Sequence, residues 1–231
     1  MISALAWTTG LCAFVPVGVM VLLSGRLVHP RRFDRFIKLG CRAIMAALFV
    51  RISVEGRNHF KHDRASLFIC NHVNIFDVFV LYGFIPNYFR GIELDEHFDW
   101  FFYGRIIRRL GMIPISQTNV RSALKSLKVA ERAIATGTSI LILPEGGRTL
   151  DGKFQPFKPG AFTLAKRAGV DIVPLVMIGA FEIKRKGSLM IRPGRMILRF
   201  GQPIAYEEIK ALPVKEISDL VRGRMLHLYN D

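Results

Sequence analysis

The chain has 231 residues, of which 51% are hydrophobic, and 33 Lys and Arg against 18 Asp and Glu give a formal net charge of +15. This length suits one substantial domain plus an appendage. A chain that is both basic and rich in uncharged apolar runs indicates an anionic membrane surface as partner and argues against a nucleic-acid-binding module.

An apolar segment without a charged residue opens the sequence, over residues 2–23. As a helix rising about 1.5 Å per residue it measures about 33 Å, which is enough to cross the core of a bilayer. Basic residues follow it directly, so the positive-inside tendency predicts that the rest of the chain is cytoplasmic. These basic residues are Arg26, Arg31, Arg32, Arg35 and Lys38.

A second apolar helix is predicted over residues 36–50, separated from the first by Pro30. Two apolar helices joined by a basic turn favour a hairpin that sits in one leaflet. The alternative is a single membrane span followed by a core helix. We predict that residues 1–50 form a two-helix membrane anchor and that residues 51–231 form the following domain.

The first strong polar motif follows a predicted buried strand at 66–70, itself preceded by a strand near Ser53 and Val54. His72 leaves this strand and Asp77 follows five positions later, at the start of a helix predicted over 76–82. An ideal helix would place the two side chains about 140° apart, so a direct contact requires a turn. With that turn, Asp77 orients His72 as a general base; alternatively, His72 caps the helix and Asp77 pairs with an arginine.

The next unusual segment places four acidic or histidine residues before four consecutive aromatic rings. The first group is a poor metal site, because adjacent ligands on one short segment have unfavourable geometry. Some of the rings must be buried, and the others are predicted to dock at lipid headgroups. The two groups are Asp95, Glu96, His97 and Asp99, and then Trp100, Phe101, Phe102 and Tyr103.

A second polar motif, Glu145 to Thr149, follows a predicted strand at 139–143. Gly146 and Gly147 allow close approach of the backbone to a ligand, and Arg148 offers a planar set of donors suited to phosphate oxygens. A tight surface turn with an ion pair is the alternative. Because this is the second polar motif at a strand end, where α/β proteins bind ligands, we predict an anion site.

The remaining periodicity predicts one α/β domain with a mixed sheet and helices on both faces. Gly169 is predicted to end the helix at 161–168 as a left-handed residue. Pro193 and Gly194 predict a hairpin between strands at 189–192 and 196–200. The other elements are strands at 112–115 and 172–177 and helices at 122–135 and 215–228.

These motifs resemble the blocks of the glycerophospholipid acyltransferases, the family typified by 1-acyl-sn-glycerol-3-phosphate acyltransferase. The family's first block, Asn-His followed by four residues and Asp, matches Asn71, His72 and Asp77, and its third block matches Pro144 to Thr149 loosely. A fourth block matches Val173 to Leu175. The resemblance covers about 53–203.

The resemblance implies that His72 deprotonates a glycerol hydroxyl, which attacks the thioester of acyl-CoA or acyl-carrier protein. It also implies that Asp77 orients His72 and that Arg148 holds the acceptor phosphate, with Glu145 shaping the loop. The chemistry requires a positioned base and a clamp on the acceptor, and no metal or cofactor. Residues 146 and 147 are predicted to contact substrate through their backbone.

Two positions depart from the family pattern. Gly147 stands where Thr is usual. The family's second block matches Gly111 to Gln117, and Gln117 stands where many members have an Arg that contacts the acceptor phosphate. We predict that Arg121 or Arg105 substitutes for that Arg. The sequence therefore predicts acylation of lysophosphatidic acid at a cytoplasm-facing membrane such as the cell inner membrane. The alternatives are acylation of another lysolipid, such as a lyso-ornithine lipid, and a noncatalytic basic module that binds lipid surfaces.

Overall fold

The computed structural model describes residues 1–24, 28–60 and 63–231. Within them, the central strands β2 (Leu67–Cys70) and β5 (Ser139–Ile142) are buried at every position. Near-continuous apolar runs of this kind are typical of parallel strands covered on both faces. The other strands are β1 (Val50–Glu55), β3 (Phe89–Leu94), β4 (Ile113–Ile115), β6 (Ile172–Ile178) and β7 (Gly194–Phe200).

These strands form one mixed sheet of the described residues in the order β1-β7-β6-β2-β5-β3-β4. Neighbouring strands are parallel except β6 and β7, which are antiparallel. The carboxyl ends of β6, β2 and β5 therefore meet at the same edge, which is where parallel sheets place ligands. The predicted mixed sheet is confirmed.

Helices cover both faces of the sheet, as predicted. The helices are α1 (Ile2–Leu23), α2 (Pro30–Ala47), α3 (Asp77–Phe84), α4 (Tyr103–Arg109), α5 (Val120–Ala135), α6 (Gly160–Ala168), α7 (Ala180–Ile183), α8 (Tyr206–Ile209) and α9 (Val214–Asn230). Alternate residues of β2 show the two covered faces directly, since Phe68 and Cys70 belong to the core under α1 to α4, while Leu67 and Ile69 belong to the core under α5, α6 and α9.

Helix α2 begins six residues earlier than predicted. Pro30 occupies its first turn, where the missing N–H has no intrahelical partner to lose, and the Nδ1 atom of His29 accepts a hydrogen bond from the Arg31 N–H at 3.2 Å. The proline therefore starts the second helix instead of separating it from the first. Arg26, one of the predicted basic residues, lies outside the described residues.

The predicted hairpin at Pro193 and Gly194 is wrong. Strand β7 pairs with β1 on one side and with β6 on the other, so both of its edges are already occupied. The segment before it forms no strand, because the N-terminus of α1 binds its backbone. Trp7 donates to the Leu189 carbonyl at 2.7 Å, and the Ile191 N–H donates to the Ser3 hydroxyl at 2.9 Å.

Helix α1 lies along the domain. The Phe14 ring packs edge to face on Phe79 and on Phe102, and the Thr9 hydroxyl donates to the Ala47 carbonyl of α2 at 2.5 Å. The opposite side of α1 exposes apolar side chains, including Leu5, Leu11, Val15 and Val19. Among the described residues, one helix, Ile2–Leu23, is long enough and apolar enough to cross a membrane, by length and composition.

Candidate active site

The segment after β2 is locked to the end of β6 by asparagine side chains. The Asn71 Oδ1 atom accepts from the Met177 N–H at 2.8 Å, and its Nδ2 atom donates to the Met177 carbonyl at 3.1 Å. Asn74 adds a donation to the Ala180 carbonyl at 2.7 Å. These bonds satisfy buried backbone groups and fix the path of the chain on either side of His72.

His72 and Asp77 meet, as the sequence predicted. The His72 Nδ1 atom lies 2.8 Å from Asp77 Oδ2, and the same oxygen accepts from the N–H groups of Val73 at 2.6 Å and Asn74 at 3.0 Å. Asp77 is the first residue of α3, so the chain turns back over the helix N-terminus and brings His72 to it. This turn removes the angular separation that an ideal helix would impose.

This contact sets the imidazole tautomer. An ionised carboxylate only accepts hydrogen bonds, so the proton of a neutral imidazole lies on Nδ1 and the lone pair on Nε2. The Asp77 side chain is 1% exposed, whereas that of His72 is 25% exposed. His72 is therefore oriented from the protein side and open to a substrate on the other, which is the arrangement of a general base.

Glu145 supports the same loop from the end of β5. Its Oε1 atom accepts from the His72 N–H and its Oε2 atom from the Gln155 N–H, both at 2.8 Å. Burial raises the pKa of this carboxyl group, and the two backbone hydrogen bonds oppose that rise. Glu145 therefore shapes the loop, as predicted, and substrate contact by its side chain stays a prediction.

The glycines after Glu145 bring the backbone close to its neighbours. Gly146 has a positive φ of 66°, and a Cβ atom there would lie 2.5 Å from Lys158 Cε. Its carbonyl accepts from Gln117 Nε2 at 2.6 Å. Among the described residues, and apart from Gly147 and its two chain neighbours, no atom lies within 4 Å of the position that a Cβ atom would take at Gly147. The space that the family fills with Thr is therefore open.

Arg148 lies next to the His72 segment, because a backbone hydrogen bond joins the two loops. The N–H of the following residue, Thr149, donates to the His72 carbonyl at 2.9 Å, which joins the two predicted motifs. Arg148 itself is half-buried. The structure thus brings a candidate base, His72, and a candidate anion-binding residue, Arg148, together at neighbouring strand ends.

Arg105 and Arg121 are placed differently. Arg105 is exposed on α4, with its guanidinium carbon 4.3 Å from the centre of the Phe101 ring. Arg121 is exposed in the first turn of α5. In the described part of the chain, neither forms a hydrogen bond or ion pair with residues 145–149. Their role as substitutes for the missing second-block arginine stays a prediction.

No sequence motif identified the basic residues Lys184, Arg185 and Lys186, which follow β6 and α7 at the same sheet edge. The Lys186 Nζ atom donates to the Arg148 carbonyl at 3.4 Å, and Lys184 is buried. They match no family block. Their position could have identified them, because they follow a buried parallel strand, and ligands bind at the carboxyl ends of such strands. The other two motifs were identified in the same way.

A metal site near residues 95–99 and a covalent acyl intermediate on the Cys70 thiol are two other candidate chemistries. Among the described residues, no three His, Cys, Asp or Glu side chains form a group that could hold a metal ion, and His97 bonds to Glu93 at 2.6 Å. Burial raises the pKa of the Cys70 thiol well above its usual value, and the charges of Asp77 and Glu145 raise it further. A thiol held neutral is a poor nucleophile.

Comparison with known proteins agrees with these blocks. The family model described as Acyltransferase matches residues 51–178, which is more than half of the chain. The chain belongs to the acyltransferase family. A 1-acyl-sn-glycerol-3-phosphate acyltransferase of Cocos nucifera is 29% identical over 206 residues, covering 89% of this chain and 66% of the relative.

Other relatives carry the same name. The chloroplastic LPAT1 enzyme of Arabidopsis thaliana is 30% identical over 69% of this chain and 45% of its own length, and the alpha enzyme of Ovis aries is 28% identical over 90% and 72%. The chain thus spans about half to two thirds of the length of several of these relatives.

A solved structure shares the fold. The 1-acyl-sn-glycerophosphate (LPA) acyltransferase PlsC of Thermotoga maritima aligns with a TM-score of 0.81 at 21% identity, covering 98% of this chain and 93% of that one. The match covers nearly the whole chain and supports the predicted α/β domain with a mixed sheet. The membrane-anchoring role of residues 1–50 stays a prediction.

Proposed function

We propose that the chain transfers a fatty acyl group from an acyl thioester to the free hydroxyl of lysophosphatidic acid, giving phosphatidic acid for phospholipid synthesis. The observation that carries this proposal is the 2.8 Å contact between His72 Nδ1 and Asp77 Oδ2, which leaves Nε2 as a base beside Arg148. The names of the relatives support the same acceptor.

In the proposed reaction, His72 Nε2 removes the proton of the acceptor hydroxyl as its oxygen attacks the thioester carbonyl. The resulting imidazolium is stabilised by the Asp77 carboxylate. Collapse of the tetrahedral intermediate breaks the carbon–sulfur bond, and the imidazolium proton passes to the departing thiolate. Arg148 binds the acceptor phosphate and holds the hydroxyl at Nε2. This reaction uses acyl-CoA or acyl-carrier protein as donor and requires no cofactor.

We propose that residues 1–50 attach the enzyme to a cytoplasm-facing membrane, with residues 51–231 carrying the chemistry. The exposed apolar side chains of α1 and the net charge of +15 support this assignment. A lipid acceptor remains in its bilayer while its polar head reaches the site. The sheet edge must therefore face the headgroups.

One observation favours a second acceptor class. Gln117, at the position of an arginine in many family members, is neutral and donates to the Gly146 carbonyl. With one cation fewer, selection for a phosphomonoester weakens, which would favour a lysolipid without a free phosphate, such as a lyso-ornithine lipid.

An acceptor panel tests the proposal. Purified protein in mixed micelles is supplied with acyl-CoA and either lysophosphatidic acid, a lyso-ornithine lipid or no acceptor, and products are identified by mass spectrometry. We expect thiol release and phosphatidic acid with the first acceptor, and repetition with acyl-carrier protein defines the donor. Equal or better turnover of the lyso-ornithine lipid would overturn the acceptor assignment. Loss of thioester with none of the acceptors, at matched membrane binding, would favour a noncatalytic lipid-surface module.

A further inference from the structure

Three neighbouring parallel strands deliver polar residues to one sheet edge, and the proposed reaction uses only two of them. β2 leads to His72 and β5 leads to Arg148, whereas β6 leads through α7 to Lys184 and Lys186. The asparagine bonds to Met177 and Ala180 fasten this third strand end to the His72 segment. The β6 end is therefore part of the same structural unit as the site.

Lys184 is a buried cation with an incomplete set of partners. It is 6% exposed, and its ammonium group donates to the Arg185 carbonyl at 3.0 Å. It forms no ion pair with an Asp or Glu among the described residues. An ammonium group carries three donors, and a buried charge without an opposite charge is costly. Its surroundings favour binding an anion that the protein itself does not provide.

The positively charged neighbours of Lys184 further favour the binding of an anion at this position. Burial lowers the pKa of Lys184 from its usual value, and the nearby charge of Arg148 lowers it further. Lys186 extends to the carbonyl of the same arginine. Lys184 and Lys186 thus both lie near Arg148, and neighbouring like charges repel unless an anion lies between them.

The second family block does not supply this charge. Gln117 is neutral, and its side-chain amide donates a hydrogen bond to the Gly146 carbonyl. Arg105 and Arg121 form no hydrogen bond or ion pair with the Arg148 loop among the described residues. A phosphomonoester carries close to two negative charges and accepts several charge-assisted hydrogen bonds, so one arginine satisfies it only in part. Lys184 and Lys186 provide the missing cations from the other side of the loop.

We propose that Lys184 and Lys186 bind a substrate phosphate together with Arg148, replacing the second-block arginine in this chain. The inference rests on the proposed function. Both substrates contain phosphate, but the phosphate of a lysolipid lies only a few bonds from the reacting hydroxyl, whereas those of CoA lie beyond the whole pantetheine arm. The Thr149 to His72 backbone bond places the cluster beside the base, so the acceptor phosphate is its ligand.

The test measures kcat and KM for Lys184→Gln and Lys186→Gln with lysophosphatidic acid and with acyl-CoA as varied substrates. We expect KM for lysophosphatidic acid to rise roughly tenfold or more, since a hydrogen bond to a charged group is worth about that factor. KM for acyl-CoA should change less than about twofold. Lys184→Arg should restore most of the affinity. Lys128→Gln, on the exposed face of α5, removes the same charge at a distant position and serves as the control.

Each contrary outcome is distinct. Unchanged KM values in both glutamine variants would overturn the assignment, and a selective rise in KM for acyl-CoA would assign the cluster to the donor instead. A fall in kcat alone, without rescue by arginine, would indicate a structural role and also overturn it. Because Lys186 is exposed, its substitution remains informative if Lys184→Gln fails to fold. Wild-type turnover in the same assay separates failure of this inference from failure of the proposed function.

Discussion

Asp77 is the residue that organises the candidate base. One of its oxygens accepts from the imidazole and from two backbone N–H groups, and the residue lies at the first turn of α3. Replacing Asp77 by Asn keeps the shape but removes the charge that fixes the tautomer and stabilises an imidazolium. We expect kcat to fall by about 10² to 10⁴.

The measurement is steady-state kinetics of Asp77→Asn beside Asp219→Asn, an exposed carboxylate on α9. The second variant should retain wild-type turnover. An Asp77→Asn enzyme with normal kcat and an intact fold would show that the carboxylate only caps the helix, which was the alternative interpretation of this sequence pattern.

Lys184 makes a second prediction, for the dependence of stability on pH. Its pKa in the folded protein is lowered from the usual 10.5, first by burial and then by Arg148. Between the lowered value and 10.5, the unfolded chain binds more protons than the folded one, so the contribution of Lys184 to stability rises with pH across that window.

We therefore expect the unfolding temperature of the wild type, minus that of Lys184→Met, to increase as pH rises towards 10.5. Lys128→Met controls for loss of a lysine at an exposed position. A difference that is constant or that falls with pH would mean that the Lys184 ammonium is not desolvated as described.

At this scale the sequence predicted the His72 to Asp77 contact and the position of Arg148, because both follow buried strands and carry recognisable spacing. It missed Lys184, since a basic run after a strand has no motif and its burial depends on packing of the whole β6 end. The pairing of Gln117 with the Gly146 carbonyl was equally invisible, because it joins residues 29 positions apart.

Among the elements, α1 depends on small residues for its close packing. A Cβ atom at Gly18 would lie 2.5 Å from Phe102 Cζ and 2.8 Å from Ile106 Cδ1, both on the α4 side of the contact. Gly18→Leu should push α1 away from α4 and cost about 1–3 kcal/mol. Val19→Leu, at a position that is 39% exposed, changes the same helix without this clash.

The readout is chemical unfolding in detergent micelles, and limited proteolysis of the N-terminal segment provides a second measure. Equal stability of the two variants would contradict the packing of α1 on the domain. Release of α1 in Gly18→Leu alone would agree with it.

The elements themselves were largely predictable where local pattern decides them. Buried strands at 67–70 and 139–142 and the left-handed Gly169 after α6 follow from apolar runs and a helix stop signal. The hairpin prediction was wrong because β7 finds partners distant in sequence, in β1 and β6. Strand β3 went unpredicted because Arg90 and Glu93 interrupt its apolar pattern.

At the scale of the whole molecule, basic charge and an apolar N-terminal helix act together. Under the proposed function, we expect the net charge of +15 to attract an anionic bilayer and the exposed side of α1 to supply apolar contact area. The domain and these helices share one core, since residues of α1, α2 and the sheet pack in a single cluster. We therefore expect that a mutation at the site can abolish catalysis without affecting membrane attachment, although the N-terminal helices and the domain do not form separate structural units.

The decisive measurement compares wild type with His72→Ala for thiol release from acyl-CoA in the presence of lysophosphatidic acid, with vesicle binding recorded on the same samples. We expect the variant to bind anionic vesicles as the wild type does and to lose at least about 10² in kcat. Wild-type turnover by His72→Ala would contradict the assignment of His72 as the general base.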